Sequence, residues 1–354
     1  MKKLLLAAAA LGMSLATASA QDDPLKAAWV YVGPIGDFGW SYQHNQGRLA
    51  VQEALGDKVV TSYVEDVPEG PDAERVIRQL AADGNDLIFT TSFGFMNPTA
   101  KVAAKFPDVK FEHATGYKRA ENLGTYSARF YEGRYVIGKI AGRTTKSGII
   151  GYIVSFPIPE VIRGINAFML GMQSERPDAQ VKIIWVNSWF DPGKEADAAK
   201  ALIDQGADIL VQHTDSPAAM QVAQQRGVHA FGQASDMIKF GPEAQLTAII
   251  DDWSVYYKLR TEAVMNGTWV SDDTWGGFDQ EMVKMAPYTN MPDDVAQQAK
   301  ETELAIRSGA FHPFTGPIYD QAGELRVKEG EVLSDEELLK MNWYVKGIDD
   351  KLPE

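Results

Sequence analysis

Lys26-Ala27-Ala28-Trp29-Val30-Tyr31-Val32-Gly33-Pro34-Ile35-Gly36-Asp37-Phe38-Gly39-Trp40 is the stretch whose reading decides the fold. A β-rich run over 26–33 ends at Gly-Pro, and a glycine-rich loop then leads into an amphipathic segment near 40–56. Strand, loop, helix is the first half of a βαβ unit. Outward from it the pattern continues, with candidate strands at 58–65, 86–91 and 109–114 and helical segments near 71–83 and 95–106. A second series has strands at 149–155, 181–188, 208–213 and 228–232, with helices near 158–174, 193–205 and 216–226. Such alternation predicts a parallel sheet.

The two series repeat. Tyr31-Val32-Gly33 matches Ile153-Val154-Ser155, Val59 matches Val181, and Asp86-Leu87-Ile88 matches Asp208-Ile209-Leu210, each 122 positions on. The fold class predicted is α/β: two doubly wound open-sheet lobes joined by a hinge. Lobe 1 is expected over 21–127 with part of 250–275 crossing back, and lobe 2 over 128–249 with part of 276–315. Residues 316–354, with an acidic helix near 334–340, are expected to form a hinge or edge segment.

The first twenty residues read as a secretory signal peptide: Met1-Lys2-Lys3, an apolar run to about Leu15, then Ala18-Ser19-Ala20. The run is too short to span a bilayer. The chain has no cysteine, which excludes disulfides, thiolate metal sites, a Cys nucleophile and a lipid-modified N-terminal Cys. A protein of the periplasm, exported through a cleaved signal peptide, not lipidated and without a stable membrane anchor, is therefore expected. Loss of Lys2 and Lys3 takes the net charge from −14 to −16. So acidic a surface repels phosphate backbones, so nucleic acid is not an expected partner; solubility is the plain reading of the charge.

In open α/β sheets the ligand crevice lies beyond the carboxyl ends of the strands. Those segments, at 33–40, 65–67, 92–95, 113–117, 155–160, 188–191, 213–216 and 233–236, contain no Lys or Arg but seven acids and eight aromatics. A site for phosphate or carboxylate would want arginine. Flat faces and acceptors suit a neutral or weakly basic planar ligand with N–H or O–H donors.

The candidate ligand residues are Trp40, Phe93, Asp37, Trp189, Asp215, Asp236, Phe156, Trp253 and His113. Several have a plainer alternative. Trp40 could cover a core edge, and Trp189 could fill the hinge. Asp215 and Asp236 could cap the turns or helices that follow them. His113 could be a satisfied core histidine. Trp253 opens a helix near 252–267, where a hinge aromatic could close over a ligand. His44 and Arg48 read as a solvated or lobe-edge pair. No histidines have zinc-site spacing. Nucleophile-elbow, phosphate-loop, dinucleotide and zinc-protease motifs are missing, so neither an enzyme nor a cofactor is expected.

The signal peptide, the run Val30–Trp40, Gly47, and Phe93-Gly94-Phe95 after the third strand resemble the basic membrane protein (BMP) family of ABC-transporter substrate-binding proteins. The resemblance spans essentially the whole chain after residue 20. It implies a periplasmic-binding-protein type I fold that closes like a hinged clamp, a cognate permease as partner, and often a purine nucleoside as ligand. In that family an aromatic three positions after an Asp stacks on the base, which here gives Asp37 and Trp40. Nucleoside binders carry acids where this chain has Tyr31 and His113-Ala114-Thr115-Gly116, and a lysine where it has Asp251-Asp252-Trp253. The departures make a bare purine or related heterocycle at least as strong an expectation as a complete nucleoside. The leading expectation is thus a monomeric receptor that takes a purine base or nucleoside-like ligand between two lobes. A sugar receptor of the same fold and a secreted nucleoside hydrolase are the alternatives, and a repressor of this fold is disfavoured by the export signal.

Overall fold

The computed structural model describes residues 23–36 and 38–353. The expected signal peptide and Asp37 lie outside the described residues. The chain begins with β1 (Leu25–Val30), α1 (Trp40–Leu55), β2 (Val59–Val64), α2 (Pro71–Ala82), β3 (Leu87–Thr90), α3 (Met96–Ala103), β4 (Lys110–Ala114) and β5 (Leu123–Ala128). It crosses to a second body with α4 (Tyr131–Thr144), β6 (Ile149–Val154), α5 (Pro159–Glu175), β7 (Gln180–Trp185), α6 (Pro192–Asp204), β8 (Ile209–His213), α7 (Ala218–Arg226), β9 (His229–Gly232) and β10 (Gln245–Asp251). Then α8 (Ser254–Met265) returns to pack on α1, and β11 (Asp273–Gly276) joins β5. β12 (Val283–Met285) pairs antiparallel with β10, and α9 (Asp293–Arg307) packs on α4. The small pair β13 (Ile318–Tyr319) and β14 (Leu325–Val327), and α10 (Asp335–Leu339), complete the elements.

Each lobe holds a six-stranded sheet in the same order, β2-β1-β3-β4-β5-β11 and β7-β6-β8-β9-β10-β12. The sequence repeat is therefore a repeat of topology. Its offset is less regular than the sequence suggests. Val30 faces Val64 and Thr90, as Val154 faces Trp185 and His213. Equivalent strand ends thus lie 124, 121 and 123 positions apart, counting 30 to 154, 64 to 185 and 90 to 213. One- and two-residue differences in loop length are what shift it.

Ala27–Val30 of β1 and all of β3 are buried on both faces, as parallel strands between helix layers are. Close helix packing in lobe 2 depends on glycine. A Cβ on Gly138 of α4 would lie 2.2 Å from the Phe168 carbonyl oxygen, and one on Gly171 of α5 2.2 Å from that of Tyr135. The backbones of α4 and α5 meet there, so a side chain on either would force the helices apart.

The chain passes between the lobes three times, after β5, after β10 and after β11. The crossings are tied to one another. The Arg129 N–H donates to the Gly276 carbonyl at 2.7 Å, and the Asp252 N–H to that of Met282 at 3.0 Å. Glu132, at the start of α4, accepts the Phe278 N–H at 2.8 Å. Beyond residue 316 the chain lies on lobe 2, where Asn166 of α5 bonds Trp343 and Val345, and Asp350 takes the Ile183 N–H.

Candidate ligand-binding site

The carboxyl ends of both sheets face each other across one cleft. At its centre is a small cavity between the lobes. Lobe 1 contributes Val32, Trp40, Ser92, Phe93 and Thr115, and lobe 2 contributes Ile158, Glu160, Trp189, His213, Asp215 and Gln233. The loops that carry these side chains bend through left-handed, non-glycine residues at matching places in the two lobes. Asp66 (φ 54°) follows β2 as Asn187 (φ 51°) follows β7, and Thr115 (φ 62°) follows β4 as Ala234 (φ 57°) follows β9. Strain of this kind persists where packing over-determines the loop, and it gathers at ligand sites.

Trp40 begins α1 and hangs its indole over the cleft, donating to the Thr91 carbonyl. Its ring stands edge-on to Trp253 at 5.5 Å, and Trp253 in turn stacks on His44 at 4.5 Å and 10°. Trp253 is fully buried, so it props Trp40 from behind and does not reach the cavity. His44, read from the sequence as a solvated or lobe-edge residue, is fully buried in this stack, with its Nδ1 against the Tyr257 hydroxyl. Burial pushes the His44 imidazole well below its usual pKa, so it is neutral.

Phe93 lines the cavity while Phe95 is buried in the lobe 1 core. Trp189 lines it from the other lobe, with Phe156 tilted against it at 5.2 Å; Phe156 lies in the outer cleft beside Pro34 and Asn187. Glu69, which sequence reasoning did not single out, links the walls. Its Oε1 accepts from Ser92, from the Gly94 N–H at 3.0 Å and from the Trp189 indole at 3.3 Å. A Cβ on Gly94 would sit 2.2 Å from that carboxyl carbon, so glycine makes the room.

Asp215 is buried in the cavity wall, its backbone packed on Gly39, at the positive end of α1 in the opposite lobe, which favours its charged form. Burial, with Glu195 and Glu160 nearby, still holds its carboxyl well above the ordinary range. Glu195 sets the loop: it accepts the Asp191 N–H at 3.0 Å and the Ser216 hydroxyl at 2.7 Å. Gln212 donates to the carbonyls of Thr214 and Ser216, both at 2.8 Å.

Two other candidates are placed elsewhere. Asp236 caps a turn, its Oδ1 accepting the Ile238 N–H at 3.0 Å and the Gln245 amide at 2.7 Å, and it does not line the cavity. His113 is fully buried under Gly116, with Nδ1 on the Thr90 hydroxyl at 2.9 Å, and burial lowers its pKa to about 3. Cations also lie closer than the strand ends suggest. Arg134 and Arg163, from α4 and α5, are buried beneath the cleft, and Arg163 borders its side pocket with Glu160. Arg134 came from a helix the sequence reading did not place.

The lobes touch around the cavity. The Gly39 N–H donates to the Ser235 hydroxyl at 2.6 Å, and Gln43 to the Asp251 carbonyl at 2.8 Å. Phe38 lies 5.3 Å from Phe240, with the Lys239 ammonium 4.0 Å above its ring. This is a closed clamp. Among the described residues no group of acids and histidines is arranged to hold a metal ion, and no helix is long and apolar enough to cross a membrane.

Comparison with known proteins agrees with this geometry. The chain is 62% identical over 343 residues to a purine-binding protein of Brucella abortus, covering 97% of this chain and 98% of that one. It is 41% identical over 335 residues to a Haloferax volcanii protein whose name gives an ABC transporter and glucose, covering 94% and 82%. Among solved structures, an ABC-transporter solute-binding protein of Aeropyrum pernix superposes with a TM-score of 0.71 at 18% identity, covering 89% and 97% of the two chains. One from Conexibacter woesei does so with 0.63 at 23%, covering 81% and 98%. At such identities these two show the fold. The family model described as Bmp, ABC transporter substrate-binding protein PnrA-like, matches residues 25–312. With that match and the Brucella relative, the chain belongs to the Bmp family of PnrA-like ABC-transporter substrate-binding proteins.

Proposed function

We propose that the protein captures a purine base in the cleft, closes over it, and presents the closed complex to its permease from the periplasm. The observation that carries this reading is the pairing of aromatic side chains from opposite lobes, Trp40 and Phe93 against Trp189, on one cavity. Lobe 2 adds the acceptors Asp215 and Glu160 and the amide of Gln233. Flat faces bind a planar ring and polar edges fix its rotation. The end of the first strand favours a bare base over a nucleoside, through Tyr31. It is buried against Tyr63 and Asn45, away from the cavity, so it leaves no acid there to hold a ribose. The purine named for the Brucella relative supports the reading.

A second reading, a monosaccharide, draws on the Haloferax relative and on the ability of aromatics to pack against pyranose faces. Thermal-shift and calorimetric titration with adenine, guanine, hypoxanthine, xanthine, their nucleosides and glucose separates the two. The purine reading requires a base to raise Tm more than its nucleoside and more than glucose. Glucose alone raising Tm would replace it. Release of base from a nucleoside at catalytic protein concentration would overturn the reading as a pure receptor.

A further inference from the structure

The most constrained polar group in the cavity is an amide. Gln233 lines the cavity, is 2% exposed, and its Oε1 accepts a hydrogen bond from the Arg134 guanidinium. Amide oxygen and nitrogen are ordinarily hard to tell apart. A guanidinium removes the ambiguity, because it only donates and only the oxygen can face it. Arg134 has little freedom to leave. It is 1% exposed, and its guanidinium carbon lies 4.8 Å from the Phe130 ring centre and 5.5 Å from that of Tyr152. The backbone at Gln233 is held as well. Its carbonyl accepts the Ser235 N–H at 2.7 Å, Ala234 is left-handed, and the Ser235 hydroxyl is tied to Gly39 of the other lobe.

We infer that Gln233 is a specificity-determining residue: Arg134 holds its oxygen, its NH₂ is presented as a donor, and it selects a heterocycle with an unprotonated ring nitrogen at that edge. Asp215 and Glu160, on the same cavity, supply acceptors for N–H groups of the ring. Gln233 thus contributes directly, and Arg134 is a positioning residue. This inference rests on the purine reading and deepens it.

The test titrates the tightest-binding purine of the panel, and its 1-, 3- and 7-deaza analogues, into the native protein, Gln233→Glu and Gln233→Met by calorimetry. Each analogue replaces one ring nitrogen by C–H. One of them should bind the native protein about 10-fold or more weakly, the usual effect of losing one buried hydrogen bond. In Gln233→Glu one carboxylate oxygen still pairs with Arg134 while the other is an acceptor where a donor was. The parent base should then bind on the order of 100-fold more weakly, and the analogue, which has no lone pair to face the carboxylate, should lose its disadvantage or reverse it. Gln233→Met removes the donor without adding charge and should also level the two ligands. A merely structural role would weaken all four ligands alike. Equal binding of all four by the native protein, or a preference for the parent over the same analogue that survives both substitutions, would overturn the inference while leaving the purine reading intact. No purine binding to the native protein would instead overturn the purine reading, and the inference with it.

Discussion

Glu132→Gln should raise stability at alkaline pH and leave it nearly unchanged in acid. Glu132 stands where the chain first enters lobe 2, buried, and accepts the N–H of Phe278 from the last crossing. Gly277 lets it in, since a Cβ there would lie 2.4 Å from a carboxyl oxygen. Burial is the main cause of a carboxyl pKa raised from 4.5 to about 7; the Phe278 hydrogen bond, Arg129 and Arg307 pull the other way. The native protein therefore holds the proton more tightly than the unfolded chain. That contribution is fully present below about pH 4.5 and is lost as pH rises through about 7. Over this window the loss is about 3 kcal/mol, at about 1.4 kcal/mol per pH unit. With an unfolding entropy of about 2.1 cal/mol/K per residue, that is on the order of 4 °C in Tm. The substituted amide cannot ionise, yet its oxygen still accepts the Phe278 N–H. Scanning calorimetry at pH 4.5 and pH 8.5 reads the effect directly. The difference between the variant and native Tm should grow by about 4 °C between the two pH values. A constant difference would refute the reasoning, because it would mean Glu132 ionises as readily in the folded hinge as in the unfolded chain.

Three other perturbations probe the clamp and its support. Trp40→Ala should weaken binding of the preferred purine by roughly 5- to 150-fold, the range for losing one base-stacking aromatic; calorimetry checks it, and an unchanged Kd would remove Trp40 from the site. Gly39→Ala should bind at least about 10-fold more weakly while its ligand-free Tm barely moves. Its φ of +85° disfavours a side chain, and the new Cβ would meet the Asp215 carbonyl oxygen at 2.3 Å. Small-angle scattering with saturating ligand should show Gly39→Ala more open than the native complex. Glu112→Gln should lower Tm by about 5 °C at pH 7. The Glu112 carboxylate is fully buried with bonds from Arg260, the Tyr256 hydroxyl and the Trp269 indole, so its loss leaves Arg260 without its charge partner. A change below about 1 °C would show that the network adds little.

The architecture was legible because parallel strands buried on both faces must be apolar throughout, and such runs stand out in both halves of the chain. The elements that escaped notice carry weaker signals. α4 contains Gly133, Gly138 and Gly142, which lower helix propensity; Gly138 and Gly142 admit the backbone of α5, and Gly133 admits the Ile249 side chain of β10. β11 and β12 are four and three residues long, and they gain meaning only from the sheets they complete. The site divided along the same line. Trp40, Phe93, Trp189 and Asp215 follow strand ends, and strand order alone nominates them. Arg134 reaches the cleft from the side of a helix, which no strand-end argument can see. Asp236 and Trp253 were misplaced for a different reason: a carboxylate just after a strand can cap a turn, and an indole at a crossing can be the second layer behind another indole.

Closure and recognition draw on the same groups. The Trp40 ring lines the cavity while the Gly39 backbone just before it packs on that of Asp215 across the cleft; Trp189 lines it while its indole reaches Glu69. A ligand shifts the balance between open and closed forms only by its difference in affinity for them. One that touched a single lobe would bind both forms alike and shift nothing, however tightly it bound. Because lobe 1 supplies Trp40 and Phe93 while lobe 2 supplies Trp189, Asp215 and Gln233, a ligand in the cavity completes its contacts only when both walls are present. Gly39 then meets Ser235, and Phe38 meets Lys239 and Phe240, outside the cavity and without reference to the ligand. These contacts set how much of closure the protein supplies by itself. The remainder must come from the ligand, so a ring that misses the Asp215 or Gln233 edge forfeits orientation and closure together.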